Sequence, residues 1–220
     1  MTCVAEARKL ANFIIGLESF KTIYVERETI YDHMGALLTD ITLQAGLNYN
    51  KIVRPRVQKL LLNYPGAYTV NFFNETIKCY GLENIINWRH PVKINRLNNI
   101  ISFLLDNRIN TCSDLKLFLL KNENRKRILE INGIGPKTLD YLLKLLNFDT
   151  VAVDRHIYSF VQLANIETKE YYHTKKIVEY AADFLQISRS CIDYSIWRYM
   201  SDKEYSKPLF DPQLKLELTN

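Results

Sequence analysis

The sequence predicts an all-α protein. Apolar residues recur at helical spacing in one segment after another, alternating β patterns are nearly absent, and short breakers separate the periodic stretches. The 220 residues suffice for one domain or for two small ones sharing a cleft, and the 47% of them that are hydrophobic can form a sizeable core.

The elements follow in order. Leu10, Phe13, Ile14 and Leu17 fall at i, i+3, i+4, i+7 and predict a first helix. Thr22 to Val25 is the one weak strand candidate. Met34, Leu37, Leu38 and Ile41 repeat the helical template, and Tyr64-Pro65-Gly66 and Arg89-His90-Pro91 interrupt it. The template returns at Leu139, Leu142, Leu143 and Leu146, and again at Ile157, Phe160, Val161 and Ala164. Lys207 to Pro212 reads as an extended surface tail. The chain contains no internal repeat and no low-complexity tract.

Charge and cysteine usage narrow the classes of partner. The 29 Lys+Arg against 24 Asp+Glu give a net charge of +5, a surplus that suits a polyanion. Cys3, Cys79, Cys112 and Cys191 lie dozens of residues apart with no Cys-x-x-Cys pair, a spacing that predicts neither a zinc site nor an iron–sulfur cluster. Free thiols in a reducing cytosol are expected. The apolar run Leu10 to Leu17 is too short to span a membrane and has no small-residue cleavage site. The expected protein is cytoplasmic, nucleoid-associated in a prokaryote, with no membrane partner.

The most informative stretch is Ile131-Asn132-Gly133-Ile134-Gly135-Pro136-Lys137-Thr138. A chain with only seven glycines places two of them two residues apart, between amphipathic segments ending at Ile131 and beginning at Pro136. Glycine tolerates positive φ and lets a backbone approach another molecule closely. Pro136 suits the first position of a helix, where no N–H is needed. The turn then leaves N–H groups pointing outward beside a positive helix end, an arrangement for binding phosphate. An ordinary αα-hairpin turn would use the same Gly-x-Gly.

The whole string resembles the helix-hairpin-helix of the DNA glycosylase superfamily that includes endonuclease III. The second signature of that family, a hydrophobic run ending in Val-Asp-x-His, is matched by Val153-Asp154-Arg155-His156, with Asp154 lying 17 residues beyond Lys137. The resemblance covers roughly residues 30 to 200. It implies a two-lobed helical fold. One lobe, a helical bundle over 30–148, ends in the hairpin; the other joins 1–29 to 149–220, and a cleft lies between them. It also implies a monomer that acts on double-stranded DNA containing a damaged base.

The same resemblance assigns Lys137 as an amine nucleophile and Asp154 as the essential carboxylate. The chemistry fits both. Breaking an N-glycosidic bond builds positive charge on the sugar, which a carboxylate stabilises, and a neutral lysine can attack the anomeric carbon to form a Schiff base. At the second position of a helix, the positive helix end disfavours an ammonium. A lysine here resembles the bifunctional members, which also cleave the abasic strand. Asp154 is equally placed to N-cap the following helix, and His156 reads as structural. Gly133, Ile134, Gly135 and Thr138 would grip a phosphate, and by resemblance a monovalent cation belongs at the hairpin.

A glycosylase must flip its target base and fill the gap. Gln44, at the end of the helix from Met34 to Ala45, matches the gap-filling glutamine of the family, with Asn48 in the loop that follows. Trp88 and Arg89 would form a second probe, although endonuclease III has a small aliphatic wedge there and Trp88 is equally suited to the core. Arg54, Arg56 and Lys59 would support the DNA backbone or form a solvated face. The four C-terminal cysteines of endonuclease III are absent here apart from Cys191, so no iron–sulfur cluster is expected. This favours cluster-free branches, which include oxidised-guanine and alkylated-base glycosylases; oxidised guanine is the first expected substrate and oxidised pyrimidine the second. Ile192 to Tyr199 resembles the C-terminal helix of archaeal-type oxidised-guanine enzymes, where Tyr194 and Trp197 would stack on a base or pack in the core. A monofunctional glycosylase for alkylated or mismatched bases and a non-catalytic helix-hairpin-helix DNA-binding protein are the remaining readings.

Overall fold

The computed structural model describes residues 2–24 and 31–205, with side chains described as far as residue 201. Among these residues it is helical, with no strand. The α-helices are α1 (Cys3–Ile15), α2 (Met34–Leu43), α3 (Arg54–Asn63), α4 (Val70–Tyr80), α5 (Leu82–Ile85), α6 (Pro91–Asp106), α7 (Cys112–Phe118), α8 (Asn122–Leu129), α9 (Pro136–Leu145), α10 (Arg155–Leu163), α11 (Tyr171–Leu185) and α12 (Arg189–Tyr205). A π-helical turn, Tyr49–Val53, leads into α3, and the Pro65-Gly66 breaker forms a 3₁₀ turn, Pro65–Tyr68. The strand expected over Thr22–Val25 does not form at Thr22–Tyr24. With no strand to pair with among the described residues, the Ile23 N–H donates instead to Ser195 Oγ at 2.8 Å. Val25 and the tail at Lys207–Pro212 lie outside the described residues.

The chain divides into two compact units, one of Met1–Val25 with Val153–Asn220 and the other of Glu26–Ala152. In the first, α1 packs along α11. Both helices bury alanines, Ala7 and Ala11 on one and Ala181 and Ala182 on the other, which lets their backbones run close. Polar edges close the contact: Glu6 Oε2 lies 2.9 Å from His173 Nε2, and Lys9 donates to the Asn165 carbonyl at 2.8 Å. Phe160 is fully buried on α10. Around it Phe13, Phe20 and Tyr199 place their ring centroids 5.5–5.7 Å away.

The second unit is built around α2. All ten residues of this helix are buried, so α3, α4, α6 and α9 pack around it. A helix enclosed on every side must be apolar nearly all round. Its first turn comes close to its neighbours: a Cβ at Gly35 would sit 3.0 Å from the Phe73 ring and 3.1 Å from Leu60. His33 caps the helix. Its Nδ1 accepts from the Ala36 N–H at 3.1 Å while Nε2 bonds the Tyr64 carbonyl at 3.0 Å, a pairing that needs the neutral ring; burial pushes its pKa down accordingly.

Phe160→Ala should lower the stability of the first unit by about 3–5 kcal/mol, because three aromatic rings lose their common contact and a cavity remains. Chemical denaturation of the variant checks this.

Candidate nucleic-acid interface

The hairpin between α8 and α9 lies in the second unit. Ile131 and Ile134 are buried and anchor it, with the Ile134 N–H closing a turn onto the Ile131 carbonyl at 2.9 Å. Their burial leaves the intervening glycine outside. Gly133 has φ +89, which only glycine adopts without strain. Gly135 differs. Its backbone is extended (φ −103, ψ 177), and a Cβ there would meet open space. It is the N-cap of α9 and has no side chain with which to cap, so the first N–H groups of that helix receive no side-chain oxygen. Pro136 and Lys137 are the first two residues of α9. Lys137 and Thr138 are half-buried, and among the described residues Lys137 has no hydrogen-bond or ion-pair partner.

Two cations on α6 complete this face. The Arg96 guanidinium lies against the turn: a Cβ on Gly133 would come within 2.5 Å of its Nε. That Nε is buried without a hydrogen-bond partner, and no carboxylate pairs with the guanidinium among the described residues. One turn earlier, Lys93 Nζ donates to the carbonyls of Thr42 at 2.7 Å and Ala45 at 2.6 Å, with that of Leu43 at 3.5 Å. Burial, with the neighbouring Arg96 charge, pushes the Lys93 ammonium down to about 8. Neither residue stands out in the sequence. Two cations three apart in Pro91-Val92-Lys93-Ile94-Asn95-Arg96 read as a solvated face, and only the packing of α6 shows otherwise.

Gln44 is the C-cap of α2 and half-buried, with its N–H bonded to the Asp40 carbonyl at 2.9 Å. Asn48 is exposed and caps the π-helical turn, its Oδ1 accepting from the Lys51 N–H at 2.9 Å. Trp88 is packed rather than free. Its ring leans on the core beneath the Arg56 guanidinium, 5.4 Å from the centroid, and its Nε1 is buried without a partner among the described residues. Arg56 also holds the Asn87 and Ile52 carbonyls, at 3.1 and 2.8 Å, so it braces this loop and is not simply part of a solvated face. Asn87, Arg89 and His90 are exposed in this loop.

Asp154 lies in the first unit and N-caps α10. One oxygen, Oδ1, accepts from the N–H groups of His156 at 2.9 Å and Ile157 at 3.1 Å. The other oxygen has no partner among the described residues. His156 is buried on the same helix. Farther along, Tyr194 and Trp197 stack on each other, with centroids 5.6 Å apart, and Tyr194 is exposed. All four cysteines are free thiols. Among the described residues no group of three or more His, Cys, Asp or Glu could hold a metal, and no helix is long and apolar enough to cross a membrane.

Comparison with known proteins adds a family and a fold. A family model described as a domain of unknown function, DUF8548, matches residues 83–201, more than half of the chain. The chain belongs to the DUF8548 family. The matched DUF8548 region runs from α5 through most of α12 and includes the hairpin, Lys137 and Asp154. No curated protein matches. Among solved structures, the fold of this DUF8548 chain is similar to that of the Helicobacter pylori 3-methyladenine DNA glycosylase MagIII, solved with bound 1,N6-ethenoadenine. The match has a TM-score of 0.55 and 15% identity, and it covers 93% of this chain and 99% of that one. The architecture is therefore that of the helical DNA glycosylases.

The titration of Lys93 has a measurable consequence. Its folded-state pKa of about 8 lies below the ordinary lysine value of 10.5, so between those pH values the unfolded chain binds more protons. Stability relative to a Lys93→Met variant should therefore rise as pH increases from about 8 toward 10.5. Paired denaturation curves across that window check the sign; a flat difference would show that the ammonium is not desolvated.

Proposed function

We propose that the protein is a DNA glycosylase that removes a damaged base from duplex DNA. The observation that carries this reading is the hairpin: a positive-φ glycine, an uncapped helix start opening on free space and an unpaired guanidinium beside them, on a helical glycosylase fold. Helix N–H groups and an unpartnered cation together suit a phosphate. Backbone contacts of this kind position a protein on DNA without reading sequence.

The chemistry falls to Asp154 and Lys137. As the N-glycosidic bond breaks, its electron pair leaves with the base and positive charge develops on the sugar. The free oxygen of Asp154 stabilises that charge while the other keeps α10 capped. The attacking group is water in a monofunctional enzyme, or the Lys137 amine in a bifunctional one: there the amine loses a proton, the C1′–O4′ bond opens to give the Schiff base, and loss of a C2′ proton then expels the 3′ phosphate and cleaves the strand. Lys137, half-buried and unpaired among the described residues, suits the second course. The likeness to a 3-methyladenine glycosylase favours alkylated adenine as substrate, and with it the monofunctional course, over the oxidised base expected from the sequence.

A panel of duplexes carrying 3-methyladenine, 1,N6-ethenoadenine or oxidised guanine tests the reading through base release, and borohydride trapping separates the two courses. Lys137→Gln should abolish any trapped adduct and leave DNA binding in place, since an amide forms no imine. Trapping that survives this substitution would assign the adduct to another amine. Asp154→Asn should lower base release by roughly 10²–10³-fold, the usual loss for one stabilising group at a developing charge. It should leave the fold intact, since Asn caps as well as Asp. Near-normal release in this variant would make Asp154 a cap and nothing more.

Arg96 supplies a quantitative check on the DNA face. If its guanidinium meets a phosphate, Arg96→Gln should lower the log–log salt slope of duplex binding by roughly 0.9. Gly133→Ala, whose Cβ would fall 2.5 Å from Arg96 Nε, should displace the guanidinium and so weaken binding and lower the slope in the same direction. An unchanged slope in Arg96→Gln would remove Arg96 from the interface.

A further inference from the structure

The carbonyls around Gln44 converge on a single ammonium. A helix leaves its last carbonyls without intrahelical partners, and a cation there is favourable. At the end of α2, Lys93 Nζ takes Thr42 and Ala45 as close partners, with Leu43 at the limit of hydrogen bonding. Leu43 and Ala45 are the residues on either side of Gln44, so the backbone that carries the Gln44 side chain is gripped from both directions. The chain then loosens, since Gly46 takes φ +83 with open space around it and Asn48 already caps the next turn. Among the described residues no other side chain bonds these carbonyls.

We propose that Lys93 is a positioning residue for Gln44: by fixing the end of α2 from the neighbouring helix, it holds the side chain that fills the gap when a base leaves the stack. The inference rests on the DNA-opening reading above. A gap-filling side chain stabilises opened DNA only if its base is rigid; a mobile one spends interaction energy on being ordered. Lys93 touches no DNA in this role and acts only through the backbone of α2. Arg96, one turn away, stays free of these carbonyls and faces the hairpin instead, so the two cations serve different parts of the surface.

The test compares the Kd for a duplex carrying one tetrahydrofuran abasic-site analogue with the Kd for the same duplex intact, by fluorescence anisotropy. A general folding defect weakens both and leaves their ratio unchanged; loss of gap filling lowers the ratio. Gln44→Ala and Lys93→Met should each lower it roughly fivefold, about the worth of one hydrogen bond. The double variant should lose no more than either single one, because both changes remove the same event. Lys93→Arg, whose fork can span two carbonyls, should restore most of the ratio. If Lys93→Met does not fold, Lys93→Gln, too short to reach both carbonyls, takes its place. An unchanged ratio in the truncation, or losses that multiply in the double variant, overturns the role of Lys93. If Gln44→Ala loses the preference and the lysine truncation keeps it, only the positioning role fails. If the wild-type protein shows no preference for the gapped duplex, the DNA-opening reading fails and the positioning role with it.

Discussion

The second unit depends on how a carboxylate is kept inside it. Asp40 lies on a helix with no solvent-facing side, and its Oδ2 and Oδ1 accept from the hydroxyls of Tyr31 at 2.7 Å and Tyr141 at 3.0 Å. A buried charge without partners would cost several kcal/mol. Burial pushes the Asp40 carboxyl upward even with both tyrosines bonded, and raises both phenols as well. The group is tolerated only while α2, α9 and the segment before α2 keep this geometry. Tyr49, 3.4 Å from the Tyr31 hydroxyl, brings the π-helical turn into the same network. Tyr141 stands one turn after Lys137 on α9, and Asp40 one turn before Gln44 on α2, so the bond that satisfies the buried charge also fixes the helices carrying two of the proposed functional residues.

A second constraint runs along α6. Lys93 is consumed by helix-end carbonyls, whereas Arg96 has a desolvated Nε and no carboxylate beside it among the described residues. A protein built only for stability gains nothing from such a guanidinium, since half-burying an unpaired charge is unfavourable. A phosphate at the Gly133 turn, as the proposed function has it, would supply a counter-charge that the described residues do not. The modest net charge of +5 is thus less informative than where a single charge is left without a partner.

The sequence showed most of the helices because their faces differ: α9 and α10 each bury one side, and their apolar residues repeat at helical spacing. It showed the hairpin and the cap at Asp154 because glycine, proline and aspartate act locally. Lys93, Arg96 and the bracing role of Arg56 were not legible, since each meets backbone or turn groups more than thirty positions away and nothing in its neighbourhood marks it. Trp88 was ambiguous for a similar reason. An aromatic residue in a loop looks the same whether it points outward or is folded under an arginine, and here it is folded under. Thr22–Tyr24 has the composition of a strand but no strand to pair with among the described residues, and a side chain on α12 takes the Ile23 N–H instead.

The two hairpin glycines, which look equivalent in the sequence, answer to different demands. Gly133 is required by the fold: its φ of +89 closes the turn that Ile131 and Ile134 anchor, and a larger residue there would also have to displace Arg96. Gly135 is required by nothing inside the chain, because any residue adopts its extended backbone and a Cβ would meet no atom within 4 Å. Ser, Thr, Asp or Asn at that N-cap would stabilise α9, typically by a few tenths of a kcal/mol over Gly. Each would also place an oxygen over the N–H groups of the first turn. Glycine forgoes that cap and leaves those donors open to an outside acceptor. A position where the fold would accept a better helix cap, and where open space instead lies before a positive helix end, is what the proposed phosphate contact requires.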